Sequence, residues 1–300
     1  MIDKNALLKI KRGYLNEDFK YFHLKDHKHM EFESHYHDFN KIIIFLSGNV
    51  NYLVEGKSYR LKPWDVILIN SNEVHKPIIN PEKPYERIII WINKLFLEKH
   101  NTEDSNLLNC FKLSSSQKNN LLRLNKDNIE IIKSTLDSLE NNYTSKEFGN
   151  HILKNSILIQ LMVYINRLFL GNKLDLEKND IQYDESIVEI LQYINSHLSE
   201  NLSIEIISSK FFINRYYLMH KFKEQTGYTI HNYIQQKRLL QASNLLKKGI
   251  SMSTVCEECG FGDYSSFVRA FKKMFDLSPR NYYKVTRDLQ NYYKINNHVH

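Results

Sequence analysis

Two stretches near the C-terminus repeat one another at an offset of 49 residues, and this repeat constrains the fold more than any other feature. The offset carries Phe212 onto Phe261, Asn214 onto Asp263, Leu218 onto Phe267, Phe222 onto Phe271 and Lys223 onto Lys272. Helix-starting residue falls on helix-starting residue, apolar on apolar, base on base. Each copy reads as two short helices joined by a tight turn, as in a helix-turn-helix. Between the copies, "TIHNYIQQKRLLQASNLLKKG" predicts one helix of about 20 residues, or about 30 Å. One turn of duplex DNA is about 34 Å. A strut of that length can hold two reading helices in successive major grooves.

Charge supports a polyanionic partner. The chain of 300 residues has a formal net charge of +7. From Lys210 to Lys294 there are 15 Lys and Arg against 6 Asp and Glu, whereas Asp184 to Glu205 has acids and no base. A basic module of this kind points to nucleic acid. Three cysteines give no disulfide framework. No charged segment followed by an apolar one opens the chain, and the most apolar run, Ile157 to Leu170, carries Gln160, Asn166 and Arg167. That run is too short to span a bilayer. The expectation is a cytoplasmic protein without membrane association.

Three regions differ in periodicity. From about Tyr21 to Phe96 short β-like runs alternate with turn signals, with Ser47-Gly48-Asn49 and Glu55-Gly56-Lys57 read as hairpin turns. They predict a small antiparallel barrel or jelly roll. From about Ser114 to Leu170 the period is helical, and "HILKNSILIQLMVYINRLFL" is apolar around most of its circumference. Such a helix is buried in its own domain or packs on a second subunit. The fold class expected is α+β: an N-terminal sensor over 1–113, a helical dimerisation segment over 114–172, a linker over 173–183, an all-α double helix-turn-helix over 184–285 and a tail over 286–300. Ser186 with Glu189 reads as the capping box that opens the last domain.

The segment from about Ile187 to Tyr283 resembles the double helix-turn-helix of AraC/XylS-type transcription regulators. The matching residues are "NLSIEIISSKFFINRYYLMHKFKEQTG", Tyr233 to Leu239, Ala242 to Leu246, and "GFGDYSSFVRAFKKMFDLSPRNYY". The N-terminal part resembles the cupin-like effector domain of the same family through "HYHDFNKIIIFLSG", "LKPWDVILINSNEVH" and "ERIIIWI". The resemblance implies a sequence-specific DNA-binding regulator that answers to a small molecule, often a sugar or its derivative. It also implies a homodimer formed through the helices after the barrel, acting with RNA polymerase where the outcome is activation.

In such a domain the first turns of each reading helix face base edges and the remaining polar face meets phosphate. With Leu218 and Phe222 inward, residues three and four apart place Tyr216, Met219 and His220 outward. Arg215, Lys221 and Lys223 are expected on phosphate. In the second head the reading set is Tyr264, Ser265, Val268 and Arg269, backed by Lys272 and Lys273; Arg269 can grip guanine bidentately.

Two rival chemistries also present themselves. His35-x-His37 with His75 invites a metal-dependent cupin enzyme, since imidazoles on adjacent strands can converge on one ion. Lys41 stands where that pattern places Glu, and "PWD" replaces its Pro-Gly-Asp turn. The expectation is therefore no metal, no cofactor and no catalysis, with His35, His37, Lys41 and His75 either binding a polar or anionic effector or serving structure. Cys256-Glu-Glu-Cys259 is half a metal or redox site, and buried, inert thiols are expected instead.

Overall fold

The computed structural model describes residues 15, 17–26, 37–117, 119–171 and 181–296, with side chains up to residue 288. The chain divides into two compact units, Leu15–Tyr183 and a second beginning at Asp184.

Among the described residues the first unit holds nine strands: β1 (Phe19–Asp26), β2 (Asn40–Ser47), β3 (Val50–Val54), β4 (Lys57–Arg60), β5 (Val66–Ile69), β6 (His75–Ile79), β7 (Tyr85–Ile92), β8 (Leu121–Leu122) and β9 (Ile181–Gln182). They form a five-stranded sheet ordered β1-β7-β2-β5-β8 and a four-stranded sheet ordered β6-β3-β4-β9. Every pairing is antiparallel, so the expected antiparallel jelly-roll class holds. Glu55 (φ 43°) and Gly56 (φ 81°) both take left-handed backbone and join β3 to β4, the two-residue hairpin turn that follows strand twist. Ser47-Gly48-Asn49 makes no hairpin, because β2 pairs with β5 and β7 while β3 pairs with β4 and β6. That turn carries the chain from one sheet to the other.

Side-chain alternation explains why β2 is apolar from Ile42 to Leu46. Ile42 and Ile44 point to one face and Ile43 and Phe45 to the other, as the two-residue period of a strand requires. Ile43 and Phe45 meet Val50, Tyr52, Val54 and Tyr59 of the opposite sheet. Ile42 and Ile44 meet a helical layer made of α1 (Lys94–Lys99), α2 (Asn109–Ser116), α3 (Lys126–Tyr143) and α4 (Asn150–Gly171). Both faces of the strand are covered, so no polar alternation survives.

Of the two kinds of cover expected for α4, its own domain supplies one. Leu161 and Ile165 are fully buried in a core that α4 shares with the five-stranded sheet of its own chain. Asn166, the polar residue in this apolar run, accepts from Cys110 N at 2.8 Å and donates to Leu107 O at 2.9 Å, tying α4 to the start of α2. Of the stretch read as a linker, residues 181–182 form β9 on the edge of β4, and 173–180 lie outside the described residues. None of the helices among the described residues is long and apolar enough to cross a membrane.

The second unit contains α5 (Glu185–Ser196), α6 (Ile204–Lys210), α7 (Arg215–Thr226), α8 (Ile230–Lys247), α9 (Met252–Glu258), α10 (Tyr264–Phe275) and α11 (Pro279–Asn296). Asp184, not Ser186, caps α5, its carboxylate accepting from Ile187 N; an anion at a helix start also complements the macrodipole. The helix-turn-helix pairs are α6–α7 and α9–α10, with α8 the strut between them. α11 continues beyond residue 285, where the sequence reading ended the domain.

The repeat is real, but its register changes inside the turn. In the first turn Phe212 N donates to Ser209 O and Ile213 N to Ser208 O; in the second, Gly260 N donates to Glu257 O and Phe261 N to Cys256 O. Equivalent residues up to this point are 48 apart. Beyond the extra residue Gly262 the caps Asn214 and Asp263 are 49 apart. Phe212 is therefore the counterpart of Gly260, and Ile213 that of Phe261.

Candidate nucleic-acid interface and ligand pocket

Each reading helix is set by its cap and its core. Asn214 Oδ1 accepts from the backbone of Tyr216 and Tyr217, and Asp263 Oδ1 from that of Ser266 at 2.7 Å. This satisfies amides that the first turn otherwise leaves without partners. The bond from Ser266 holds the Asp263 carboxyl below its ordinary range, with Arg269 adding to the effect. Leu218 and Phe222 are fully buried under α7; Phe267 and Phe271 are fully buried under α10. Those inward residues turn the expected reading sets outward. Tyr216, Met219 and Tyr264 are large side chains left in solvent, and His220, Ser265 and Arg269 are exposed as well. Val268 differs: it is half-buried against the second head's core.

The cations expected on phosphate also sit outside, most of them unobstructed. Lys223, Lys272 and Lys273 are exposed. Arg215 Nη1 stands 3.4 Å from Glu205, and Lys221 Nζ 3.2 Å from Glu224, which raises the Lys221 pKa. Arg269 Nη2 donates to Ser266 Oγ at 3.1 Å, one helical turn back, so its guanidinium is oriented along the helix. Tyr217, absent from the sequence-derived set, is exposed and donates to Asp184 at the start of α5. Cys256 and Cys259 are buried; burial pushes the Cys259 thiol up to about 12 and raises that of Cys256. A thiol so disfavoured as thiolate is a poor nucleophile and a poor ligand.

In the first unit Lys41 of β2 shares a face with Ile43 and Phe45, which puts its ammonium between the sheets. There Nζ lies 2.9 Å from Nε2 of His75, on β6 of the opposite sheet. The protons can be placed. His75 Nδ1 is 2.9 Å from Glu73 O, and a carbonyl only accepts, so Nδ1 carries the hydrogen. Nε2 of the neutral ring then accepts from Lys41. By the same reasoning His37 Nδ1 donates to Phe39 O at 2.6 Å. His37 stacks on Phe39 at 4.0 Å, meets His75 edge-on at 4.8 Å, and Phe39 in turn packs on Trp91 at 4.8 Å. His37, Lys41 and His75 each keep 5% or less of their surface exposed. Burial pushes the Lys41 pKa down to about 7, because an ammonium loses its hydration there. His35 lies outside the described residues. Lys41 occupies the lone pair of His75 that a metal would need, and no cluster of three or more His, Cys, Asp or Glu suited to a metal occurs among the described residues.

The "PWD" turn keeps the form a glycine would give it. Trp64 takes φ 71°, its N donates to Phe45 O, and Asp65 accepts from Lys62 N at 2.7 Å. The buried Asp65 is gripped by two Arg123 nitrogens, Nε at 3.0 Å and Nη2 at 2.9 Å. Nothing in the spacing of residues 58 apart signals that pair.

Two halves with separate chemistry are thus present in one chain: a sandwich enclosing a buried polar cluster, and two helix-turn-helix heads with basic outer faces. Residues 21–162 match the AraC-like ligand binding domain, and residues 207–284 match a helix-turn-helix domain. This is the make-up of a DNA-binding transcription regulator with its own ligand-binding domain. The chain belongs to the AraC family. It is 24% identical over 255 residues to the HTH-type transcriptional activator RhaS of Citrobacter koseri, covering 83% of this chain and 87% of that protein. It is 22% identical to the HTH-type transcriptional activator RhaR of Pectobacterium atrosepticum, covering 94% and 92%. Among solved structures, ToxT from Vibrio cholerae matches 90% of this chain at 17% identity with a TM-score of 0.35.

Proposed function

We propose that this regulator reads DNA through Tyr216, Met219 and His220 of α7 and Tyr264, Ser265, Val268 and Arg269 of α10. Arg215, Lys221, Lys223, Lys272 and Lys273 hold phosphate, in two successive major grooves. The effector is a polar or anionic small molecule, such as a sugar acid or sugar phosphate, received at His37, Lys41 and His75, with His35 on the adjoining segment. The chain works as a cytoplasmic homodimer without catalytic activity, and engages RNA polymerase where it activates.

The observation that carries the effector reading is the Lys41–His75 pair. A lysine between two sheets, held near neutrality by burial, costs the fold stability and fills no apolar role. An anion arriving beside it restores the ammonium and takes up one proton. Binding of such a ligand is then tightest below about pH 7 and weakens as pH rises above it. The dimer reading rests on the apolar residues that the chain leaves exposed on the helical layer, among them Ile131 of α3 and Ile152, Leu153 and Leu170 of α4.

Thermal melting of the full chain with sugars, sugar phosphates and organic acids tests the effector assignment, since a ligand of the native state raises the melting temperature. The expected result is a shift with an anionic compound that shrinks from pH 6.5 to 8.5 and disappears in Lys41→Met. A shift confined to uncharged sugars, or unaffected by Lys41→Met, overturns it.

A further inference from the structure

The two heads sit at opposite ends of the strut. Tyr233, near the start of α8, bonds Asn195 at 3.1 Å and stacks edge-on with Phe222 of the first head. Leu239, Ala242 and Leu246, in its second half, enter the core of the second head with Phe267 and Phe271. Beside the strut lies a cleft of about 970 Å³ with walls from both heads, including Leu202 and Ser203 on one side and Gly260 and Tyr264 on the other.

Arg238, at the middle of α8, reaches into this cleft. Its Nε donates to Leu198 O at 2.9 Å and its Nη2 to Glu200 O at 2.5 Å, both in the segment between α5 and α6. The turn of the second head closes on the same group from the other side. A Cβ at Gly260 would stand 2.9 Å from Arg238 Nη2 and overlap the Leu198 carbonyl oxygen. One guanidinium, rooted in the strut, thus holds two carbonyls of the first head and is abutted by the turn of the second. The planar fork suits this task, since it serves two acceptors in a set geometry; a lysine offers a single point charge.

We propose that Arg238 is a positioning residue that sets the relation between the two reading helices, and so the spacing of DNA half-sites that the protein accepts. Inserting one base pair turns one half-site by about 35° relative to the other, because a helical turn holds 10–10.5 pairs. Two heads held rigidly cannot follow that rotation, whereas two heads joined by a single helix can adjust. Arg238 contacts no base in this scheme and acts through the heads.

The test uses the full chain and a duplex enriched by the wild-type protein from a randomised pool. Three derivatives accompany it: one pair inserted between the half-sites, one pair deleted, and one half-site scrambled. Wild type is expected to lose about tenfold or more in affinity on insertion or deletion. Arg238→Ala should reduce that penalty to less than about threefold while binding the scrambled-half-site duplex as wild type does, with Arg238→Lys between the two. A folded Arg238→Ala that keeps the full spacing penalty overturns the proposal, as does an equal loss on all four duplexes. Failure of both variants to fold, read by circular dichroism, overturns it too, since Arg238 is then a folding residue. A wild-type chain that enriches no duplex overturns this proposal together with the assignment of the heads to DNA.

Discussion

Phe212 and Gly260 occupy the same place in their two turns, and both take left-handed backbone, at φ 54° and 72°. The glycine is required twice over, by its φ and by the carbonyl and guanidinium pressed against it. The phenylalanine is required by neither, for its ring is 96% exposed. A non-glycine residue in this conformation costs about 1–2 kcal/mol, partly offset by the greater chain entropy that glycine loses on folding. Phe212→Gly should therefore raise stability by about 0.5–1 kcal/mol in urea unfolding; an unchanged or lowered midpoint contradicts the strain. Lys41 supplies a second residue-scale expectation. Its folded pKa, about 7, lies below the unfolded value of 10.5, so between those two pH values the unfolded state binds the extra proton and stability rises with pH. Below about pH 7 the cost of the buried ammonium is fully present, on the order of 5 kcal/mol at about 1.4 kcal/mol per unit. Lys41→Met should melt higher than wild type at pH 7, with the advantage fading towards pH 10. An advantage that grows with pH would show that the amine is not held neutral by burial.

At the scale of elements, α4 and α10 show what pattern reveals and what it conceals. The sequence marked α4 as a helix needing cover on several sides, but periodicity names no partner, and the sheet that covers it lies far away in the chain. Leu161→Ala should consequently cost about 2–5 kcal/mol of stability, as for other buried leucines. Ile152→Glu with Leu153→Glu should leave the fold intact and yield monomers by sedimentation; a dimer that persists would remove this face from the interface. On α10 the outward and inward residues were legible because the helix repeats every 3.6 residues. Val268 is half-buried, which helical period alone could not foretell, since it depends on the neighbouring helices of the second head. If Arg269 reads a guanine, Arg269→Ala should cost about 1–3 kcal/mol and relax selectivity at one base pair. Lys272→Ala should weaken all sequences alike and lower the salt slope by about one unit. Equal losses for Arg269→Ala on specific and scrambled duplex would reassign it to phosphate. The turn register was hidden for a different reason: strong matches in the second helix of each copy outweigh one extra residue, and only the backbone bonds reveal that Gly262 is the insertion.

For the whole molecule, legibility followed locality. The Glu55-Gly56 hairpin, the caps Asn214 and Asp263 and the repeated heads were readable because their residues are near neighbours in sequence. Ser47-Gly48-Asn49 and Ser186, by contrast, carried hairpin and cap signals that the fold does not use so. The strand order, the Asp65–Arg123 pair and the return of β9 to the edge of β4 join distant segments and left no local trace. His37, Lys41 and His75 were gathered by likeness to a family, and the geometry brings these three together with Lys41 bonded to His75, which spacing could not foretell. Both heads and the strut belong to the unit that begins at Asp184, so residues 184–300 should fold alone and bind duplex DNA. Affinity should fall steeply with salt as counterions are released; a folded fragment that binds no duplex at low salt would sink the assignment. The aromatic chain beside Lys41 has an optical consequence. The protein has two tryptophans, and both lie in the first unit: Trp64 at the strained turn, and Trp91 linked through Phe39 to the ring of His37. The DNA-reading half has only tyrosine as a strong emitter. Excited at 295 nm, where tyrosine is nearly dark, the chain is its own fluorophore for events between the sheets.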